Sequence, residues 1–303
     1  MGIASFNELE KKVIDSKRKF RVAVANAGDS HSIEAIMLAV DKGFAEPVLV
    51  GDKDAIVKIL GEMGRTVPEE NIYDCPDVAE AVAKAVELVR EGKADFLMKG
   101  KLDTSALLKG VVKSGTGLND GNLMSALFIA AIPGCHKLVA VVDGGMLTYP
   151  SLEQKKALIN NTVHAFHCLG CENPKVGVLA CIEKVNPKMP ETVEAAELKR
   201  MNEEGEITGC FVEGPISYDC AMSPASAKEK NFNSPAAGDC DILIAPNIHA
   251  ANILSKALTV TCKAESAGCI IGARCPVVIS SRGSSPEEKC NSIMLAAAVV
   301  LGE

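Results

Sequence analysis

The densest gathering of reactive side chains lies near the end of the chain. There the apolar run Pro276-Val277-Val278-Ile279-Ser280 enters Ser281-Arg282-Gly283-Ser284-Ser285 before Pro286. Hydroxyls, a guanidinium and the free N–H groups of a helix start would converge there, which suits an anion or a developing oxyanion. Part of the loop has a structural use as well. Ser285, Pro286 and Glu288 have the spacing of a capping box with proline at the first helical position. Glu288 therefore has two candidate roles, cap and base, whereas Ser281 and Arg282 precede the cap and are candidates for chemistry.

A second gathering is Met98-Lys99-Gly100-Lys101-Leu102-Asp103-Thr104-Ser105, with Lys109 and Lys113 one turn apart on the helix expected next. A strand ending in glycine, two cations and hydroxyls suits a phosphate, although the GxxxxGK[ST] spacing of a P-loop is absent. A solvated charged face is the plainer alternative. Glu213-Gly214-Pro215-Ile216-Ser217-Tyr218-Asp219 carries two acids after a short strand, and Asn247-Ile248-His249-Ala250-Ala251-Asn252 follows another. Each fits a ligand cleft or ordinary helix caps. His164-x-x-His167-Cys168-x-x-Cys171 has a metal-like spacing, but it falls on one expected helix with no second CxxC, so no metal site is expected. Asn26-Ala27-Gly28-Asp29-Ser30 lacks the GxGxxG of a nicotinamide-binding turn.

The elements that must position these groups alternate along the whole chain, β-branched runs with helical patterns, the signature of a mainly parallel α/β sheet. Strands are expected at 21–25, 47–50, 71–73, 94–98, 137–143, 176–181, 210–212, 241–245 and 276–280. Helices are expected from Ser30, which would cap the first, and over 78–90, 152–169, 190–202, 250–262 and 286–301, with two more between 101 and 137. Two lobes with a cleft between them suit the length: residues 1–143 with 268–303, and 144–267. In such sheets ligands bind beyond the carboxyl ends of the strands, where the motifs above fall.

Composition narrows the partners. The 303 residues are 48% hydrophobic and 23% charged, and 32 Lys and Arg against 39 Asp and Glu leave a net charge of −7. With no Trp, three Tyr and eight Phe, there is neither a basic field nor a stacking platform for nucleic acid. The chain has no uncharged apolar run long enough to span a membrane and no apolar signal core in its first residues, so a cytoplasmic protein is expected. The twelve cysteines are spread from Cys75 to Cys290, several inside apolar runs such as those at Cys181 and Cys275, and read as small hydrophobes.

Five stretches together resemble the phosphate acetyl/butyryltransferase family over nearly the whole chain, in order. They are residues 97–105, Glu183-Lys184-Val185-Asn186-Pro187-Lys188-Met189-Pro190-Glu191-Thr192-Val193, residues 213–219, Asp241-Ile242-Leu243-Ile244-Ala245-Pro246 and Ser281-Arg282-Gly283. The resemblance implies a two-lobed fold like that of isocitrate and isopropylmalate dehydrogenases, usually as a homodimer. It implies the reversible reaction acyl-CoA + phosphate ⇌ acyl phosphate + CoA, with CoA as substrate and no permanently bound cofactor. It implies catalytic roles for Ser281 and Arg282, with the base position, an Asp in the family, falling here on Glu288. Lys99, Gly100, Lys101, Thr104, Lys109, Lys188, Asp219, Asn252 and Gly283 are the residues expected to bind substrate. The Leu-Leu-Arg that acetyl-specific members of the family often carry on the helix after the glycine turn reads Leu107-Leu108-Lys109 here, which keeps the charge and loses the bidentate fork. Two alternatives stay open: a CoA-ligand sensor or inactive paralogue, suggested by Glu288 and Asn247 where relatives tend to carry Asp, and a metal- and nucleotide-dependent dehydrogenase of the same fold.

Overall fold

In the computed structural model, which describes residues 3–280 and 283–303, apolar runs form strands and amphipathic runs form helices in near alternation. The chain begins with α1 (Phe6–Asp15), β1 (Phe20–Ala25), α2 (Ser30–Asp41), β2 (Ala45–Gly51), α3 (Lys53–Glu62), β3 (Ile72–Asp74), α4 (Val78–Arg90), β4 (Phe96–Lys99) and α5 (Thr104–Val111). It continues through β5 (Ser125–Ala131), β6 (Leu138–Val142), α6 (Leu152–Leu169), β7 (Lys175–Leu179), α7 (Pro190–Glu203), β8 (Phe211–Ile216), α8 (Tyr218–Met222) and α9 (Pro224–Glu229). It ends with β9 (Ile242–Ile244), α10 (Ile248–Lys256), β10 (Glu265–Ile271), β11 (Val277–Val278) and α11 (Pro286–Gly302).

Two compact units result, an N-terminal unit of Asn7–Asn122 with Ala267–Leu301 and a central unit of Leu123–Ser266, which also takes in the chain up to Phe6. In the N-terminal unit the strand order is β3-β2-β1-β4-β11-β10, parallel apart from the β10–β11 pair. Val22, Ala23, Val24 and Ala25 are all fully buried, because helices cover both faces of a parallel sheet and leave no polar side for alternation. α4 turns Ala81, Val82, Ala85, Val86 and Leu88 inward at helical spacing. Each larger side chain buried this way contributes about 1.5–3 kcal/mol.

In the central unit the order is β5-β6-β9-β7-β8, parallel apart from the β5–β6 pair. A charged clamp ties the amino ends of its strands. Lys137 Nζ, on a side chain only 7% exposed, lies 2.8 Å from Asp239 and 2.7 Å from Asp241, whose side chain is 5% exposed. Burial works against the Lys137 charge, but the hydrogen bonds and charges of the two aspartates outweigh it and raise its pKa.

Both units have a topological switch point. The chain leaves β1 for β2 and β3 on one side and returns to β4 on the other; it leaves β7 for β8 and returns to β9. Loops diverge above β1/β4 and above β7/β9, which opens a crevice at each.

Several expectations change. Residues 123–143, expected in the first lobe and partly helical, form β5 and β6, and β6 pairs with β9 of the central unit. Ser125-Ala126-Leu127-Phe128-Ile129-Ala130-Ala131 has weak strand propensity and is held extended by its antiparallel partner. β10 and α3 were not expected, and the strand at 276–280 shrinks to two residues. Asp29, not Ser30, caps α2, its carboxylate accepting from the Ser32 N–H. Lys113 lies beyond the end of α5, and Cys181 is exposed past β7. Cys275 is a core hydrophobe as expected, and burial pushes its thiol and that of Cys240 up to about 12.

Candidate active site

The crevice of the N-terminal unit opens where β1 and β4 end side by side. Gly100 donates its N–H to the Ala25 carbonyl at 2.9 Å, and Lys101 donates to the Asn26 carbonyl at 2.8 Å. A Cβ at position 100 would lie 2.3 Å from the Asn26 carbonyl oxygen, so this approach admits glycine alone. Asn26 takes a left-handed conformation with φ +57° and donates its side-chain amide to the Lys101 carbonyl at 2.5 Å. The two strand ends are thus locked together by backbone and side chain, and above them lies a cavity of about 690 Å³.

That cavity is lined by Lys99, Gly100, Lys101, Leu102 and Asp103 from the β4 end, Asp29, His31 and Ser32 from the start of α2, Val78, Ala106, Ser280 and Lys289. Lys99 turns its ammonium onto the Leu102 carbonyl at 3.0 Å, which makes it a brace of the loop as well as a wall of the cavity. The start of α2, whose Ser32 N–H is capped by the Asp29 carboxylate, brings the positive end of its helix dipole to the same wall. Thr104 and Lys109 are exposed on α5 and are not among the lining residues; Gly283 is exposed.

Ser281 and Arg282 lie outside the described residues. Beyond them the capping box forms as its spacing predicts: Glu288 Oε2 accepts from the Ser285 N–H at 3.1 Å, and Ser285 Oγ accepts from the Glu288 N–H at 3.2 Å. Lys289, one residue further in the first turn of α11, is buried at 6% exposure and lines the cavity.

In the central unit, a more apolar cavity of about 500 Å³ sits above β7 and β9. Its walls are Leu179, Ala180 and Cys181 after β7, Ala245 and Pro246 after β9, Ala250 and Leu254 on α10, with Tyr218, Met189, Glu191 and Thr192. Beside it Asp219 joins a cluster. Ser217 Oγ donates to Asp219 at 2.6 Å and also bonds Glu183, while Lys230 Nζ lies 2.9 Å from each carboxylate. The Ser217 hydrogen bond, then the Lys230 ammonium, hold Asp219 down to about 2. Glu183, Asp219 and Cys220 offer metal-type donors close together, but the cation among them is Lys230.

The remaining motif residues have other partners. Glu213 is buried and pairs with Lys199 at 2.7 Å, so the two acids of residues 213–219 do not act together. Asn247 caps α10, Asn252 donates to the Gly144 carbonyl at 3.0 Å, and Lys188 is exposed with its N–H on Asn186. His249 meets Tyr149 at 3.1 Å. His167 turns to the Gly209 carbonyl at 2.7 Å, while the His164 ring lies 3.8 Å from Cys168.

A family model described as phosphate acetyl/butaryl transferase matches residues 74–297, a span that takes in the crevice of the central unit and the β4 and α11 sides of the other. The chain belongs to that family. It is 42% identical to the phosphate butyryltransferase of Clostridium acetobutylicum over 297 residues, 98% of each chain. It is 45% identical to the phosphate acetyltransferase of Thermotoga maritima over 290 residues, 95% of this chain and 98% of the other. The crystal structure of a branched-chain phosphotransacylase from Enterococcus faecalis superposes with a TM-score of 0.81 at 28% identity, covering 93% of this chain and 99% of that one. Similarity to both acetyl and butyryl enzymes places the chain among phosphate acyltransferases without fixing the acyl group. Among the described residues, no helix is long and apolar enough to cross a membrane.

For a phosphate acyltransferase, Asp29 and Lys289 are two charged cavity residues that motif reading did not assign to the site. A signal for Lys289 existed: a lysine in the first turn of a helix opposes the helix dipole.

Proposed function

We propose that this protein transfers a short acyl group, butyryl or a near relative, reversibly between CoA and orthophosphate. The observation that carries the reading is the cavity at the β1/β4 switch point, with cations Lys99, Lys101 and Lys289 and the start of α2 on its walls. Its chemistry suits a phosphate group, the group that a phosphate acyltransferase must hold.

Written toward CoA acylation, the thiol must first lose its proton, since a thiol pKa near ~8.5 leaves little thiolate at neutral pH. Glu288 occupies the base position in the resemblance, and proton removal by a placed carboxylate contributes on the order of 10²–10⁴-fold. The thiolate then adds to the acyl-phosphate carbonyl, forming the C–S bond and a tetrahedral oxyanion. Ser281 and Arg282 are assigned to that oxyanion by their motif, each well-placed donor supplying about 3 kcal/mol. Collapse breaks the C–O bond and releases phosphate, a good leaving group that needs no strong acid. Gly100 lets the loop approach closely while Lys99 and Lys101 meet the negative charge. Thr104, Lys109 and Gly283 are assigned to the periphery of this site, and Lys188, Asp219 and Asn252 to substrate contacts of the central unit. Holding two anionic substrates against their repulsion supplies much of the remaining rate.

Phosphorus NMR of the protein with butyryl-CoA and orthophosphate tests the reading. A growing acyl-phosphate resonance supports it; free butyrate without acyl phosphate marks a hydrolase and overturns it.

A further inference from the structure

Lys289 stands apart from the lysines that the motifs single out. Its residue exposure is 6%, it lines the cavity of the N-terminal unit, and its ammonium makes no hydrogen bond or ion pair among the described residues. Its backbone N–H is satisfied by the Ser285 carbonyl, so only the side chain is left without a partner. The stem of Lys289 is buried while its head reaches the cavity, in the first turn of α11, where the helix dipole offers the ammonium no compensation. Asp29, the nearby acid of the same cavity, does not pair with it. Asp29 lines the same cavity, accepts from the Ser32 N–H through Oδ1 and keeps Oδ2 buried and unbonded, with no ion pair to Lys289. The other cations differ: Lys101 is exposed and Lys99 rests on the Leu102 carbonyl.

We propose that Lys289 is the principal cation for the phosphate substrate, receiving orthophosphate or the phosphoryl end of the acyl phosphate in this cavity. The inference rests on the transferase reading and adds to it a residue outside its motifs. A dianion there satisfies the ammonium beside the start of α2, where His31 and Ser32 line the same cavity.

The test uses Lys289→Met, which keeps the buried volume and removes the charge, and Lys58→Met, an exposed lysine on α3, as a charge control. Two readouts are taken: the thermal midpoint with and without orthophosphate or CoA, and KM for phosphate and for butyryl-CoA. Lys289→Met is expected to fold, to lose the orthophosphate-induced rise in midpoint and to raise KM for phosphate by about 10- to 100-fold, the loss of one charge-assisted contact. KM for butyryl-CoA and the CoA-induced rise should stay as in wild type. An unchanged phosphate response, or a loss that falls on CoA instead, overturns the proposal. If Lys289→Met does not fold, Lys289→Gln, which retains a polar head, is read on the same two measurements. Wild-type turnover separates the two levels: an active wild type with an unaffected variant sinks this inference alone, whereas an inactive wild type without an orthophosphate-induced rise sinks both.

Discussion

Asn26 and Lys101 hold each other across the crevice by reciprocal bonds, the Asn26 amide donating to the Lys101 carbonyl at 2.5 Å and the Lys101 N–H donating to the Asn26 carbonyl at 2.8 Å. This pair sets the mouth of the cavity, since it fixes where the turn after β4 stands relative to the end of β1.

The first prediction follows from that closeness. Gly100→Ala puts a methyl group 2.3 Å from the Asn26 carbonyl oxygen, so the turn must shift and the Asn26–Lys101 bonds lengthen. A loss of about 1–3 kcal/mol is expected in urea unfolding, together with a raised KM for phosphate. A variant as stable and as active as wild type contradicts the geometry.

Glu288 separates its two roles under Glu288→Gln. Glutamine keeps the capping box, so the thermal midpoint should hold, while loss of a base lowers kcat by about 10²–10⁴-fold. Full activity with an intact midpoint would leave Glu288 as a cap only.

Ser281→Ala and Arg282→Ala should each lower kcat by about 10²–10³-fold with the fold intact, the effect of removing one oxyanion donor. Near-wild-type rates in both variants would remove the pair from the mechanism.

Acid should loosen the Glu183–Ser217–Asp219–Lys230 cluster. The folded pKa of Asp219 is depressed to about 2, below the ordinary value near ~4, so its stabilisation is complete above ~4 and fades as pH falls through about 2. Carbon-detected NMR titration of the Asp219 carboxyl reads this directly. A midpoint in the ordinary carboxylate range would contradict the Ser217 and Lys230 contacts.

The clamp beneath the central sheet gives a stability test. Lys137→Met leaves Asp241 buried without its cation and should cost about 3–5 kcal/mol, part of which returns in the triple variant with Asp239→Asn and Asp241→Asn. No loss in the single variant would mean that the ammonium is not holding the strands.

Local patterning carried the parallel sheets and most helices, because buried strand segments such as residues 22–25 are continuous apolar runs and α4 keeps a clean helical stripe. What it missed depends on partners distant in sequence: β5 is extended because β6 lies beside it, not because Ser125–Ala131 favours a strand. The same holds in the site. Lys99, Gly100 and Lys101 were legible as a phosphate-like turn, and they do line the cavity. Lys289 and Asp29 were not, since a lysine inside a helix and an aspartate before one have ordinary uses, and only folding places both on one cavity wall. Asp219 was legible as an acid after a strand, but its partners Glu183 and Lys230 come from elsewhere in the chain.

The most direct measurement is the loss of thioester ultraviolet absorbance from butyryl-CoA with the purified protein, with and without orthophosphate. The account predicts rapid loss only when phosphate is present, its rate saturating in both substrates. Loss that does not depend on phosphate, or none at all while CoA still binds, would contradict it.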